Sequence, residues 1–175
     1  MSHEISKPRY RSRIPCDPEY ALALGQAAYS YSYLEWQAIC VARKLKTDFI
    51  AEDMYTWPAG KIARAIYEVV KEKRSLLPDP TYRKVKATVA ELWDAAELRN
   101  DMLHAYPYTS SGGAQRLGRR TNGKNAEWTF ERFDAATAFF EDLSVRLNDI
   151  FYKDLPDSDT PLLALPKPEG LDSTP

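Results

Sequence analysis

Residues 79–107 read DPTYRKVKATVAELWDAAELRNDMLHAYP, and this stretch decides the fold class. Asp79-Pro80 is a helix start, a short polar side chain followed by a residue whose φ is already helical. Tyr82, Val85, Val89, Leu92, Ala96 and Leu103 then recur at helical spacing and line one side. Proline next appears at Pro107. The pattern therefore predicts one continuous helix of roughly 26 residues, about 39 Å long.

Three further segments share this texture. The first starts at Asp17-Pro18 and runs to about Lys46, with Ala27, Tyr31, Leu34, Ala38, Val41 and Leu45 on one apolar face. The second begins near Thr56, with Pro58 just inside, and ends near Arg74; Ile62, Ala65, Ile66, Val69 and Val70 form its stripe. The last starts near Thr129 and carries Phe130, Phe133, Ala136, Phe140, Leu143, Leu147 and Ile150. Between the third and last helices, residues 106–128 hold four of the seven glycines, flanked by Tyr106–Tyr108 and Glu127–Thr129. A short β-hairpin or an ordered loop fits there. The expected fold is all-α, an antiparallel four- to five-helix bundle with that hairpin or loop inserted before the last long helix.

The ends differ from the middle. Residues 1–16 carry Lys7, Arg9, Arg11 and Arg13 against Glu4 and read as a basic tail. Residues 154–175 carry five acids against Lys167 and five prolines, and read as an irregular acidic tail. Their Leu162–Leu163–Ala164–Leu165 run is a candidate for docking on the body or a partner. The folded domain is expected over 17–153.

Composition narrows the function classes. A chain of 175 residues with 44% hydrophobic and 28% charged residues is one foldable domain with tails. With 24 basic and 25 acidic residues it is no global polycation, which argues against bulk nucleic-acid coating. Cys16 and Cys40 cannot build a disulfide scaffold and have no nearby histidine or cysteine for a zinc site. The start, MSHEISKPRYRSR, is polar and has no apolar signal core. The longest charge-free run of the first helix, Ala21–Leu34, is too short to span a membrane. These features predict a soluble, cytoplasmic protein without a membrane partner. Phosphate-cradling glycine motifs and a nucleophile-elbow pattern are both lacking.

Chemistry concentrates at Arg99-Asn100-Asp101-Met102-Leu103-His104-Ala105-Tyr106, at the end of the longest helix. Asn100 and His104 are one turn apart and share a face. Arg99 lies about 100° round the helix, and its long side chain can swing toward that face. An imidazole moves protons near neutral pH, and a guanidinium holds a phosphate and stabilises charge developing on it. Together they suit phosphodiester cleavage. From Met102 to Ala126 there is no acidic residue, yet Arg116, Arg119, Arg120 and Lys124 fall there, a basic footprint for a phosphate backbone. Tyr106 and Tyr108 add stacking surfaces for unpaired bases.

Two other features compete or assist. Glu91, Asp94, Glu97 and Asp101 form a carboxylate stripe running into His104, the raw material of a metal-dependent hydrolase. Asp101-x-x-His104 occurs once and no second histidine is available to it, so no metal or cofactor is expected. Glu35, in Tyr33-Leu34-Glu35-Trp36, lies beside the first helix's apolar stripe. It is placed either to orient Arg99 or His104 across the bundle or simply to edge the buried face.

Arg99-Asn100, three residues, then His104 resembles the Arg-x4–6-His motif of HEPN domains, including the polar residue directly after the arginine. The motif's place near the end of a long helix and the Leu34-Glu35 pair in a long, aromatic-rich first helix are similar too, and the resemblance covers roughly residues 18–153. It implies a metal-independent endoribonuclease. A ribose 2′-hydroxyl attacks the adjacent phosphate, leaving a 2′,3′-cyclic phosphate and a free 5′-hydroxyl. His104 would be the general acid/base, Arg99 would stabilise the phosphorane-like charge, and Asn100 would orient His104 or bind phosphate. Members usually dimerise with two motifs facing one cleft, and typically serve as toxins of toxin–antitoxin pairs or as phage-defence effectors. Many others keep the fold as non-catalytic RNA- or protein-binding modules. The longer pattern, Arg99-x4-His104-x-Tyr106, is similar to that of members paired with a nucleotidyltransferase antitoxin that modifies the tyrosine with AMP. This chain departs from them in its long glycine-rich insert and in Pro107 directly after Tyr106.

Overall fold

A computed structural model describes residues 16–47, 49, 57–121 and 124–155. Residues 1–15 and 156–175, and with them most of both expected tails, Thr56 and the Leu162–Leu165 run, lie outside the described residues. The chain is mostly helical and carries one small antiparallel sheet.

Helix α1 (Pro18–Leu45) begins where its sequence signal placed it. The Asp17 carboxylate accepts from the backbone N–H groups of Glu19 at 3.0 Å and Tyr20 at 3.4 Å. This satisfies donors the first turn leaves orphaned. Its inner stripe buries Tyr20, Ala27, Tyr31, Leu34, Ala38 and Leu45. Helix α2 (Ala59–Glu72) follows Pro58 and ends in a 3-10 turn at Arg74–Leu76.

The continuous third helix expected from Asp79 is two helices, α3 (Asp79–Ala90) and α4 (Leu92–Leu103). No proline or glycine marks the break. At Glu91 the backbone stays helical (φ −68°, ψ −14°), but its N–H turns to the Val89 carbonyl. The Glu91 carboxylate is held by the Arg146 guanidinium at 2.7 and 2.6 Å, an anchor from the last helix. The interruption shifts the end of the apolar stripe. Met102 is fully buried, whereas Leu103, expected on the inner side, is 44% exposed. Asp79, expected as a cap, instead pairs with Arg74, and the capping position falls on Pro78.

Three strands follow: β1 (Tyr106–Thr109), β2 (Gln115–Thr121) and β3 (Lys124–Trp128), antiparallel in the order β1-β2-β3. The insert is thus a full three-stranded meander. Its first turn closes through Gly113 N–H to the Ser110 carbonyl at 2.9 Å, with Gly113 at φ +81°, a conformation only glycine adopts without strain. Tyr106 faces Gly118, and Leu117 faces Trp128. Trp128 is wholly buried and stacks on Phe133 at 5.2 Å, so its side of the sheet faces the body. Tyr106, Tyr108 and Gly118 lie on the outer face.

Helix α5 (Phe130–Asp149) is capped by the Thr129 hydroxyl, which accepts from Arg132 N–H at 3.3 Å. It packs along α1, with Tyr20 edge-on to Phe133 at 5.1 Å and Tyr31 edge-on to Phe140 at 5.3 Å. Burying Leu34, Phe133, Phe140, Leu143 and Leu147 completely stabilises the body by about 1.5–3 kcal/mol for each side chain. A π-helical turn, Ile150–Asp154, ends α5. Lys44 donates to the Phe151 carbonyl at 2.6 Å, Asp154 pairs with Lys84 at 2.6 Å, and Leu155 is buried. Residues 154 and 155, assigned by sequence to the acidic tail, therefore belong to the folded body. Among the described residues, no helix is long and apolar enough to cross a membrane.

Candidate functional site at the end of α4

Asn100 and His104 fall in the last turn of α4, as their spacing requires. His104 is the residue that ends the helix (φ −97°, ψ 8°), and its side is exposed to solvent. Its N–H still bonds to the Asn100 carbonyl at 3.0 Å, which ties the two positions together. The Arg99 guanidinium swings toward Asn100 and donates to its Oδ1 at 2.9 Å. The structure thus brings Arg99 and Asn100 into direct contact and sets the exposed histidine one turn beyond.

Behind Arg99 stands a polar pair on α1. The buried Tyr31 hydroxyl donates to Glu35 Oε1 at 2.9 Å, and the Arg99 guanidinium lies 5.8 Å from the Tyr31 ring centre. Burial pushes the Glu35 carboxyl above the ordinary carboxylate range, and the Tyr31 hydrogen bond and the Arg99 charge only partly offset that. Burial and the adjacent carboxylate also push the Tyr31 phenol up, so it remains a neutral donor. A void of about 10 Å³ beside Glu35, lined by Leu34, Ile62, Ile66 and Leu92, has room for at most one water.

A second network fastens the sheet to the helix end. Asp101 pairs with Arg132 at 2.5 Å and with Arg119 at 3.5 Å. Arg119 also donates to the His104 carbonyl at 3.1 Å, satisfying one acceptor that the helix terminus leaves open. Arg132 in turn lies over the Trp128 ring at 4.0 Å. Two of the arginines assigned to RNA by sequence are thus engaged within the chain. Arg116, only 18% exposed, packs over Tyr20 and Phe130 at 4.9 and 5.6 Å and pairs with Asp17 and Glu127 at 3.5 and 3.7 Å. Arg120 is exposed on β2, and the Lys124 side chain lies outside the described residues.

The carboxylate stripe is divided. Glu91 belongs to Arg146 and Asp101 to two arginines, while Asp94 and Glu97 line an open groove of about 520 Å³ with Asn100, Asp101, Arg119 and Arg132. Among the described residues, no three metal-ligating side chains gather at one point. Tyr106 is exposed on the sheet's outer face, beside Tyr108 at 6.3 Å between ring centres.

Two contributors escaped the sequence reading. Tyr31 was assigned to the core by its spacing, which also sets it one turn before Glu35. Arg132 meets Asp101 across 31 residues, a separation over which no local pattern extends. Comparison with protein-family models, with curated protein sequences and with solved structures gave no match.

Proposed function

We propose that the chain is a HEPN-like helical bundle acting as a metal-independent endoribonuclease of the toxin or phage-defence type. The observation that carries this reading is the end of α4, where the Arg99 guanidinium is bonded to Asn100 and a solvent-exposed histidine follows Asn100 one turn on. In the proposed reaction His104 takes the proton from a ribose 2′-hydroxyl. The 2′-oxygen attacks the adjacent phosphorus, the bond to the 5′-oxygen breaks, and the leaving oxygen receives a proton. The products are a 2′,3′-cyclic phosphate and a 5′-hydroxyl. Arg99 offsets the extra negative charge on the phosphoryl oxygens, and Asn100 holds its fork in place. The Tyr31–Glu35 pair supports Arg99 from the bundle side.

Because each chain carries one motif, the base and the acid are supplied by two copies of His104 in a homodimer. Trp93, Glu97, Asn100 and His104 follow one another at helical spacing on α4, and the exposed Trp93 and Leu103 offer apolar surface for that pairing. An antitoxin, a nucleotidyltransferase acting on Tyr106, and a cytoplasmic setting belong to the same proposal.

The test is incubation of the purified protein with total RNA in EDTA. Cleavage to cyclic-phosphate ends that is lost in both His104→Ala and Arg99→Ala supports the reading; intact RNA at saturating protein overturns it. A second reading, a non-catalytic RNA- or protein-binding module on the same fold, is favoured by one observation: the Arg99 guanidinium is engaged within the chain, by Asn100 Oδ1 at 2.9 Å and the Tyr31 ring at 5.8 Å. Salt-sensitive RNA binding without cleavage would select it.

A further inference from the structure

The outer face of the sheet lays two tyrosines across a glycine. Tyr106 and Tyr108 are two residues apart on β1 and project to the same side. Opposite them β2 carries Gly118. A Cβ there would lie 3.2 Å from the Tyr108 ring and 3.5 Å from the Tyr106 ring. Glycine thus lets both rings lie down across the sheet instead of standing off it. Their centres are 6.3 Å apart and their planes tilted by 55°. Tyr106 is 43% exposed, a large aromatic surface for a small sheet.

The charge around the rings favours a polyanion. Tyr108 donates its hydroxyl to Glu127, which holds the phenol's pKa up to about 12, so the ring is neutral at physiological pH. Glu127 is also paired with Arg116 at 3.7 Å, so its charge is already answered. Arg120, exposed two residues after Gly118 on the same face, adds a cation there.

We infer that this face is a stacking platform for two unpaired bases of a single-stranded RNA, with Tyr106 and Tyr108 under the bases and Arg120 against the backbone. The tilt gives the occupant. Bases in a duplex are parallel and pair-locked, whereas a single strand can splay two neighbours onto rings set at 55°. Tyr106 follows His104 by two residues, at most about 7 Å along the chain. The platform therefore starts within that distance of the His104 backbone. The inference deepens the ribonuclease proposal, and rests on it only for what happens to that strand.

The test uses the full-length protein and a fluorescein-labelled 12-nucleotide RNA with every 2′-hydroxyl methylated, so that it cannot be cleaved. Fluorescence anisotropy is read for the single strand and for the same strand annealed to its complement. The expected results are tighter binding of the single strand, a loss of about 5- to 100-fold in Tyr106→Leu and in Tyr108→Leu, and retention within about threefold in the Tyr→Phe variants. Gly118→Val, which forces the rings up, should weaken binding while thermal melting shows the fold kept. Equal affinity for duplex and single strand, no binding at all, or leucine variants that bind like the parent would each overturn the platform. A parallel cleavage assay on unmodified RNA separates the two ideas. Binding with the stated tyrosine dependence but no cleavage sinks the nuclease alone. Cleavage with tyrosine-independent binding sinks the platform alone.

Discussion

The Arg119 guanidinium donates to the His104 carbonyl at 3.1 Å, so the middle strand of the sheet holds the residue that ends α4. The same guanidinium faces Asp101 at 3.5 Å. Arg119 therefore ties β2 to the backbone of the residue that bears the imidazole.

This gives the first prediction. Arg119→Ala should lower RNA cleavage by about tenfold or more, because small displacements of a catalytic group are costly. It should reduce stability by only about 0.5–1.5 kcal/mol. Arg119→Lys should recover little, since one ammonium cannot serve the carbonyl and the carboxylate in the same fork geometry. The deciding measurement is the salt dependence of RNA binding. A positioning residue leaves the slope unchanged, whereas loss of a phosphate contact reduces it by about one.

Glu35 predicts a trade between stability and activity. Its carboxyl is pushed above the ordinary value of 4.5 by burial, so between those two values the folded state holds a proton that the unfolded chain has released. Stability therefore falls as pH rises through that interval, and the penalty is complete above it. Glu35→Gln keeps an acceptor for Tyr31 and removes the charge. Urea unfolding should find the variant at least as stable as the parent at pH 7, with the difference gone below about pH 4.5. Cleavage should nevertheless decline, because Arg99 loses the negative charge it faces.

Tyr20 joins the sheet to α1. Its hydroxyl donates to the Trp128 carbonyl at 2.6 Å and accepts from the Leu117 N–H at 2.9 Å. Tyr20→Phe preserves the ring contacts with Phe130 and Phe133 but strands both backbone groups. A loss of about 1–3 kcal/mol is expected in chemical denaturation. Amide exchange should quicken at Leu117 before it does in α1 or α5. Uniform exchange across the chain would contradict this role.

Glu91 supplies a pH dependence of opposite sign. The Arg146 hydrogen bonds hold its carboxyl below the ordinary value of 4.5. That contribution is present above 4.5 and disappears as pH falls through the lower, folded-state value. Glu91→Gln should cost about 0.5–1 kcal/mol at pH 7, because the pair is partly exposed. The gap between variant and parent should narrow toward acid, as read by urea midpoints at pH 7 and pH 3.

The helix starts at Asp17-Pro18 and Thr129 were legible because a cap is a local event: one side chain meets N–H groups two or three residues on. The inner stripes of α1, α2 and α5 were legible because apolar spacing reports which side must leave water. The break at Glu91 was not, since it coincides with an ion pair to a helix 55 residues away and with no residue that breaks helices by itself. The glycine-rich insert showed its turn chemistry but not its third strand, because pairing register is fixed only when one face, here that of Trp128, packs on a body.

The sequence by itself determined a helical chain and the turn of α4 that sets Asn100 beneath His104, because both follow from a period of 3.6 residues. It also carried the candidates Arg99 and Glu35. Only the tertiary structure decided what each charge faces. Arg116 and Arg119 are spent on carboxylates, Tyr31 and Glu35 stand behind Arg99, and Gly118 lets two tyrosines lie against the sheet. The physical reason is that electrostatic and steric partnerships depend on distance in space, and the backbone brings residues as far apart as 111 positions into hydrogen-bond contact.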